Sequence, residues 1–399
     1  MHLPEWGLIL SPLNMAANDS NLITRAGTFL KQPGGYRAFI PKALPPDPPL
    51  EMDWETVRLL AEASLELGRL DGAGALVPNP DLFVGMYVRQ EAVLSSQIEG
   101  TQCTLEDVLR FELDASAVSE PEEIAEVVNY VGAMNYGLER LEDFPLSLRL
   151  IREIHERLMK GVRGSALTPG EFRRTQNWIG PAGGTLLNAS FVPPPVPDMN
   201  DALGDLEKFL HETERLPALI HFGLVHAQFE TIHPFLDGNG RIGRLLIAFL
   251  LCHRKILRRP LLYLSLYFKQ HRQEYYDRLT AVRNDGQWEP WIKFFLKGVA
   301  EVSRSATSTA QAILALQQEH RQLTLQRVSN AALSQLLLDL LLQYPLISVR
   351  MVESRLNCAF VTANKLVEQF TGLGLLREIT GGLRNRQYEY KPYLELFER

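Results

Sequence analysis

Cysteine is scarce in this chain: Cys103, Cys252 and Cys358 are the only three in 399 residues, and no two share a C-x-x-C spacing. Three separated thiols exclude a disulfide framework and a cysteine zinc site, and they suit a reducing cytosol. Long apolar runs are missing as well. No stretch approaches the roughly 18 consecutive apolar residues that span a bilayer, so no membrane partner is expected. The apolar stretch within Met1–Asn14 has no basic flank, which excludes the usual form of a signal peptide. A cytoplasmic protein is expected. Excess positive charge is also lacking: 41 Lys and Arg stand against 47 Asp and Glu, a formal net charge of −6. That balance excludes a surface given over wholly to nucleic acid, while one basic patch stays compatible with it. Internal repeats and low-complexity segments are absent too. What remains is ordinary globular composition, 46% hydrophobic and 22% charged, in a chain long enough for two or three domains.

Residues 1–50 are rich in Pro and Gly and close on Ala43-Leu44-Pro45-Pro46-Asp47-Pro48-Pro49. Proline fixes φ and removes donors, so an extended arm with few regular hydrogen bonds is predicted. From Trp54 the apolar spacing turns helical through Val57, Leu60, Ala61, Ala63 and Leu67. Further helices are predicted over Pro80–Glu99, stopped by Gly100, and over Thr104–Glu112, with Thr104 as N-cap and Asp107 in the first turn. Two more cover Pro121–Leu141 and Leu146–Lys160. Residues 170–196 break this pattern: two short strand-like runs, Phe172–Gly180 and Leu186–Val192, flank a Gly-rich turn and predict a hairpin. Helices resume over Met199–Glu212, Ala218–Thr231, Arg241–His253, Tyr267–Asn284 and Trp288–Leu316. After a polar helical stretch, Gln317–Arg327, three helices (Leu333–Leu342, Val349–Leu356, Phe360–Phe370) precede a hairpin of Leu375–Ile379 and Gln387–Tyr390. Three helices and a hairpin outline a winged helix. The expected divisions are an arm (1–50), an N-terminal helical region (51–145), a helical core (146–316) and a linker helix with winged helix (317–399). The fold class is mainly α.

The chemistry concentrates in His233-Pro234-Phe235-Leu236-Asp237-Gly238-Asn239-Gly240-Arg241-Ile242-Gly243-Arg244. Pro234 drives His233 out of helical geometry, so the preceding helix ends there and leaves an imidazole on a loop lip. Gly238 and Gly240 let the backbone approach a ligand. The helix that starts after them offers free N–H groups and a positive dipole end to an anion. Arg241 and Arg244 project from one face of that helix, suited to forked contacts with phosphate oxygens. Asp237 supplies the hard oxygen that Mg²⁺ takes alongside phosphates. A base, a metal ligand, an anion nest and two arginines together describe a phosphoryl- or nucleotidyl-transfer site. Asp-Gly-Asn-Gly by itself is also ordinary turn chemistry; the flanking His and paired Arg are what structure alone does not require.

This segment resembles the Fic motif, H-P-F-x-D/E-G-N-G-R-x-x-R, at every defined position. Ala43–Pro49, Leu67–Gly72 and Glu91–Thr104 are similar to the N-terminal region of bacterial Fic proteins with a C-terminal winged helix. The resemblance implies a protein adenylyltransferase that moves AMP from ATP to a Tyr, Thr or Ser hydroxyl, on another protein or on itself. It implies His233 as the base, Asp237 as the Mg²⁺ ligand, and a nucleotide-binding run of Gly238, Asn239, Gly240, Arg241, Ile242, Gly243 and Arg244. Within that run, Asn239 and the N–H groups of Gly238 and Gly240 stabilise charge on phosphate, Arg241 meets the β-phosphate and Arg244 the γ-phosphate. The 172–192 hairpin corresponds to a flap that holds the target by main-chain pairing, with Asn188, Ala189, Ser190 and Phe191 beside the nucleotide. Ser95-Ser96-Gln97-Ile98-Glu99-Gly100 resembles the family's inhibitory motif, with Ser95 and Glu99 one helical turn apart and Arg244 the implied partner of Glu99.

Other positions keep two readings. Tyr275 and Tyr276 border the adenine in the family, with Asn284 on the base, and are otherwise half-buried core residues. Gln228 approaches the nucleotide or lies on a solvated face with Glu230 and Thr231. An ordinary surface hairpin is the alternative for the flap. In the C-terminal unit, Asn364, Lys365, Gln369, Arg384 and Arg386 offer modest basic content, so packing or partner docking competes with DNA binding. Alternatives to the leading function are a DNA-binding regulator with a Fic sensor core, a donor such as UTP or CDP-choline, and removal of AMP.

Overall fold

In a computed structural model, residues 23–75, 80–114, 121–181, 183–212, 214–382 and 384–397 are described. The elements run β1 (Gly27–Lys31), β2 (Arg37–Pro41), α1 (Trp54–Ala75), α2 (Pro80–Ile98), α3 (Leu105–Leu113), α4 (Pro121–Arg140) and α5 (Leu148–Leu158). They continue with α6 (Val196–Leu210), α7 (Ala218–Ile232), α8 (Asn239–His253), α9 (Ser265–Gln270), α10 (Arg272–Asp285) and α11 (Trp288–Arg327). The last group is α12 (Ala331–Gln343), β3 (Leu346–Ser348), α13 (Val349–Arg355), α14 (Phe360–Gly372), β4 (Arg377–Glu378), β5 (Gln387–Glu389) and α15 (Lys391–Leu394). The mainly helical class holds.

At the centre lie α7 and α8. Almost every residue of α7 from Leu219 to Ile232 is buried, and α8 is buried from Arg241 to Leu251. A helix apolar on all sides is one enclosed by others, and α6, α10 and α11 pack on α7 while α2, α4 and α5 pack on α8. Around them the helices are one-sided. α5 buries Leu150, Ile151, Ile154, His155 and Leu158, while Arg149, Glu156 and Arg157 stay outside. α3 begins as expected, with a capping box in which Thr104 and Asp107 bond to each other's backbone N–H. No helix among the described residues is long and apolar enough to cross a membrane.

Four expectations need correction. Part of the extended arm, 27–41, is an antiparallel hairpin in which Gly27 pairs with Pro41 and Lys31 with Arg37. The dense proline run, 45–49, comes only after it, and composition averaged over the whole arm hides the strand residues Phe29, Ala38 and Phe39; its residues 1–22 lie outside the described residues. Between 172 and 192 there is no strand among the described residues, only one bridge, Ile179 to Phe191, closed by hydrogen bonds of 2.8 and 3.0 Å. Pro181 on one side and Pro193 to Pro195 on the other have no N–H to extend a ladder. The predicted helix Tyr267–Asn284 is broken at His271, whose φ −110° and ψ 36° separate α9 from α10. Conversely, Trp288–Leu316 and Gln317–Arg327 are one helix of 40 residues, because Ile313, Gln317, His320 and Thr324 continue its buried stripe.

The C-terminal residues form three helices, α12 to α14, and a three-stranded antiparallel sheet of order β3-β5-β4. The strand Leu346–Ser348 was not foreseen. This unit seats on α2: α12 packs against it, and the Tyr87 ring lies 5.6 Å from that of Phe397, edge to face. Tyr87 also donates from its hydroxyl to the Ala306 carbonyl of α11 at 3.0 Å.

Candidate active site

The site forms where α7 stops and α8 starts. His233 caps α7 in the left-handed region, φ 49° and ψ 60°, a conformation uncommon for a residue with a side chain. Its surroundings hold it there. The His233 carbonyl accepts from Arg173 Nε at 3.1 Å and from Asn177 Nδ2 at 3.2 Å, and Asn177 also donates to the Phe235 carbonyl at 2.9 Å. Arg173, only 1% exposed, further donates to the carbonyls of Thr175 and Pro194. Burial pushes the His233 imidazole down to about 4, with the Arg283 guanidinium the next contributor and Glu99 pulling the other way. The ring is therefore neutral at physiological pH, as a proton acceptor must be. Its Nδ1 is buried and makes no hydrogen bond among the described residues.

The loop after it is pinned from below by α5. Gly170 N–H donates to His155 Nδ1 at 2.9 Å, so the neutral ring carries its proton on Nε2, which donates to the Asp237 carbonyl at 3.0 Å. Burial drives His155 down to about 4, consistent with this neutral form, and its ring stacks on Phe235 with centroids 3.7 Å apart. The Asp237 carboxylate accepts from Gly238 N–H at 2.6 Å, stands 3.7 Å from Arg241, and is about one-third exposed. Gly238 has φ 77° and lies so close to Met159 Sδ that a β-carbon would sit 2.9 Å from it. No side chain caps α8 at this end.

Asn239 is 3% exposed, and both ends of its amide bond the Phe235 peptide at 2.8 Å. Those two bonds shape the loop, and one Nδ2–H is left over. A β-carbon on Gly240 would collide with Glu99 Oε1, so the Glu99 carboxylate stands directly against the first turn of α8. Glu99 accepts from Arg244 Nη2 at 2.6 Å, while Arg244 also donates to Ser95 Oγ at 2.8 Å and to the Ser95 carbonyl at 3.0 Å. Burial opposes the Glu99 charge, yet Arg244 outweighs it and holds the carboxyl below the ordinary range. Arg241 pairs with Glu126 of α4 at 3.3 Å, and burial raises the Glu126 carboxyl despite that neighbour.

Other expected site residues divide. Tyr276 is 37% exposed and close enough to Glu99 and Arg244 to feel both charges. Tyr275 is core: 1% exposed, stacked on Phe268 and sharing a 2.8 Å hydrogen bond with His226. Ile242 likewise turns inward, and Gly243 offers its carbonyl to His226 Nδ1 at 2.9 Å. Gln228 does not lie on a solvated face; it is buried and donates to the Lys42 carbonyl at 2.8 Å, locking the arm. Ser190 and Asn284 are exposed. Asn188 Oδ1 accepts from Thr185 N–H, closing the turn before Ser190, and Phe191 is buried beneath Arg283, 4.1 Å from its ring. Glu230, read as a solvated-face residue, is 7% exposed; burial lifts its carboxyl to about 7, and its Oε1 makes no hydrogen bond among the described residues.

His155, Arg173, Asn177 and Glu126 were missed. His155 announced itself as the one imidazole on the apolar face of an amphipathic helix. Arg173 and Asn177 sat in a segment read for strand propensity alone.

Residues 57–139 match the Fic/DOC family N-terminal model and residues 145–251 the Fic/DOC family model. The chain is 32% identical over 192 residues to the protein adenylyltransferase Fic of Aedes aegypti, and 33% identical over 189 residues to that of Culex quinquefasciatus. Each match takes in 46% of this chain and 34% or 33% of the relative, so the chain spans about a third of the length of these curated relatives. A Fic family protein from Desulfovibrio desulfuricans shares the fold, with TM-score 0.56 at 21% identity, over 86% of this chain and 97% of that one. Two adjoining family matches, with the loop of His233 to Arg244 inside the second, place residues 57–251 of this chain in the Fic/DOC family.

Proposed function

We propose that this chain transfers AMP from ATP to a protein hydroxyl, its own included, under restraint by Glu99. The target O–H gives its proton to His233; Nδ1 is buried, which leaves Nε2 for this role. The oxygen attacks the α-phosphorus, and the bond to the β-phosphate oxygen breaks to release pyrophosphate. The Asp237 carboxylate, one-third exposed beside the uncapped end of α8, suits one Mg²⁺ held together with substrate phosphates and water. Such an ion neutralises phosphate charge when bound. Arg241 and Arg244 take the β- and γ-phosphates, and Tyr276 borders the base. The bridge of Ile179 and Phe191 offers the target an extended edge.

One observation carries this reading. A carboxylate, Glu99, occupies the anion position in front of α8 and salt-bridges the arginine that phosphate would need. Residues 51–145 then bear the inhibitory helix and 146–316 the catalytic core, while 317–399 carry the rest of α11 and a winged helix. Polar groups of α14 are partly spent on each other, Asn364 with Glu368 at 2.7 Å, which favours a docking role over DNA contact. The site belongs in the cytoplasm, where ATP and protein targets meet. The test is to incubate Glu99→Gly protein with each labelled nucleoside triphosphate and Mg²⁺, then map modified residues by mass spectrometry. Labelling with ATP is expected; labelling only with another triphosphate such as UTP overturns the donor, and none with any of these or with labelled CDP-choline overturns transfer.

A further inference from the structure

Glu91 is a buried ionisable group that the transfer chemistry does not use. It lies on α2, 5% exposed, with no lysine or arginine in hydrogen-bond contact among the described residues. Its Oε2 accepts the Ser265 N–H at 3.1 Å, the first residue of α9, and its Oε1 accepts from the Ser265 hydroxyl. Tyr130 of α4, fully buried, donates its hydroxyl to the same Oε1 at 3.2 Å. Burial pushes the carboxyl up to about 7, against the pull of Ser265 and the Arg244 charge. An apolar residue would satisfy packing at less cost, so the carboxyl calls for another reason.

That reason lies in the helix it sits on. Glu91 and Ser95 lie one turn apart on α2, and Glu99 follows four residues on, just past its end. Ser95 and Glu99 both bind Arg244, and the Tyr130 hydroxyl bonds Glu91. Hydrogen bonds thus tie Glu91 to Ser265 of α9 and Tyr130 of α4, while Ser95 and Glu99, further along, tie to Arg244 of α8. We propose that Glu91 is a positioning residue that fixes the rotation and axial register of α2, so that Ser95 and Glu99 meet Arg244. The two carboxylates stand about 12 Å apart along the axis, from the helical rise of about 1.5 Å per residue. Glu91 therefore acts through the helix and not on the substrate. This proposal rests on the reading of Glu99 as a restraint.

The test measures self-labelling with ATP by the full chain for wild type, Glu91→Gln, Glu99→Gly and the double variant, alongside each melting temperature. Glu91→Gln keeps the volume and one acceptor oxygen but gives Ser265 N–H an amide donor to face. Its labelling rate should rise by at least about five-fold, a coupling typical of groups in one hydrogen-bond network. In the Glu99→Gly background the same change should alter the rate by less than about two-fold, since no restraint is left to relax. Loss of structure alone lowers activity in both backgrounds and does not raise it. Tyr130→Phe, which deletes the hydroxyl that anchors Glu91 to α4, should move the rate in the same direction. Wild-type rates in Glu91→Gln and Tyr130→Phe, beside a strong gain in Glu99→Gly, overturn the role of Glu91 and leave that of Glu99 intact. A gain of equal size in both backgrounds also overturns it. No gain in Glu99→Gly removes the restraint itself, and this proposal with it.

Discussion

Replacing Glu99 with glycine removes one carboxylate from the first turn of α8 and one charge partner from Arg244. The magnitude follows from the two ends of that bridge. Arg244 is 2% exposed at its side chain and keeps both contacts to Ser95, so it stays in place. Glu99 is 35% exposed, so the bridge falls between a surface pair and a buried one. Discounted for solvent screening, it is worth about 1–2 kcal/mol, which corresponds to roughly 5- to 30-fold in the balance between restrained and open sites. A misplaced α-phosphate sets the ceiling, since an error near 1 Å in reacting geometry costs about 100-fold. Self-labelling with ATP should therefore rise between about 5- and 100-fold, while ATP affinity changes less. The cycle of Glu99→Gly, Arg244→Ala and their double, followed by labelling rate, separates release of Arg244 from general loosening. The double variant should show no gain over Arg244→Ala. An unchanged rate in Glu99→Gly, or a gain that survives loss of Arg244, refutes the reasoning.

His233→Ala should abolish labelling and leave ATP binding within a few-fold, because the imidazole meets the hydroxyl and not the phosphates; wild-type labelling would remove it from the reaction. With its conjugate acid near 4, the base is neutral above that value, so the pH–rate profile of Glu99→Gly should be flat from pH 6 to 8 and fall on approaching 4; a midpoint near 6.5 contradicts the burial argument. Asp237→Ala should lose activity chiefly by raising the Mg²⁺ requirement, and equal rates of mutant and parent in limiting Mg²⁺ speak against ligation. His155→Phe keeps the stack on Phe235 but drops the bonds to Asp237 and Gly170, and should cut the rate by about 10-fold or more through loop misplacement, read in single turnover. Glu230, lifted to about 7, favours its protonated form in the folded state, so its contribution to stability is present below the ordinary value of 4.5 and lost as pH rises through 7. Glu230→Gln should thus gain melting temperature relative to wild type between pH 5 and 8; a difference independent of pH excludes that carboxyl as the cause.

The motif and its partner were legible because their residue types have few structural uses together. Asp-Gly-Asn-Gly makes a turn anywhere, but a turn does not need His233 before it and two arginines after it. The contact of Glu99 with Arg244 followed from a carboxylate at a helix C-terminus, a place where the dipole offers it no support. What escaped was the holding structure. Arg173 and Asn177 grip the His233 carbonyl from 56 to 60 residues away, and no local pattern encodes such a pairing. Asn239 reads from its type as a phosphate donor, whereas its two bonds to Phe235 depend on loop shape and could not be read from sequence. Tyr275 and Tyr276 show the limit from the other side: adjacent on one helix, they differ by which face turns inward.

The packing of Tyr87 against Phe397 also bears on the order in which the molecule comes into being. These rings are 310 positions apart (397 − 87) and 5.6 Å apart in space. α2 leaves the ribosome long before α12 and the residues around Phe397 that cover it. The catalytic loop, 233–244, is complete well ahead of them. For that interval the upper half of α2 has an aromatic face without its cover, a surface of the kind chaperones hold. Closing so long a loop makes this seam a late event in folding, after the helices of the centre have condensed. The helix that leads to Glu99 is thus held early by α4, α8 and α9 and covered late by the C-terminal unit.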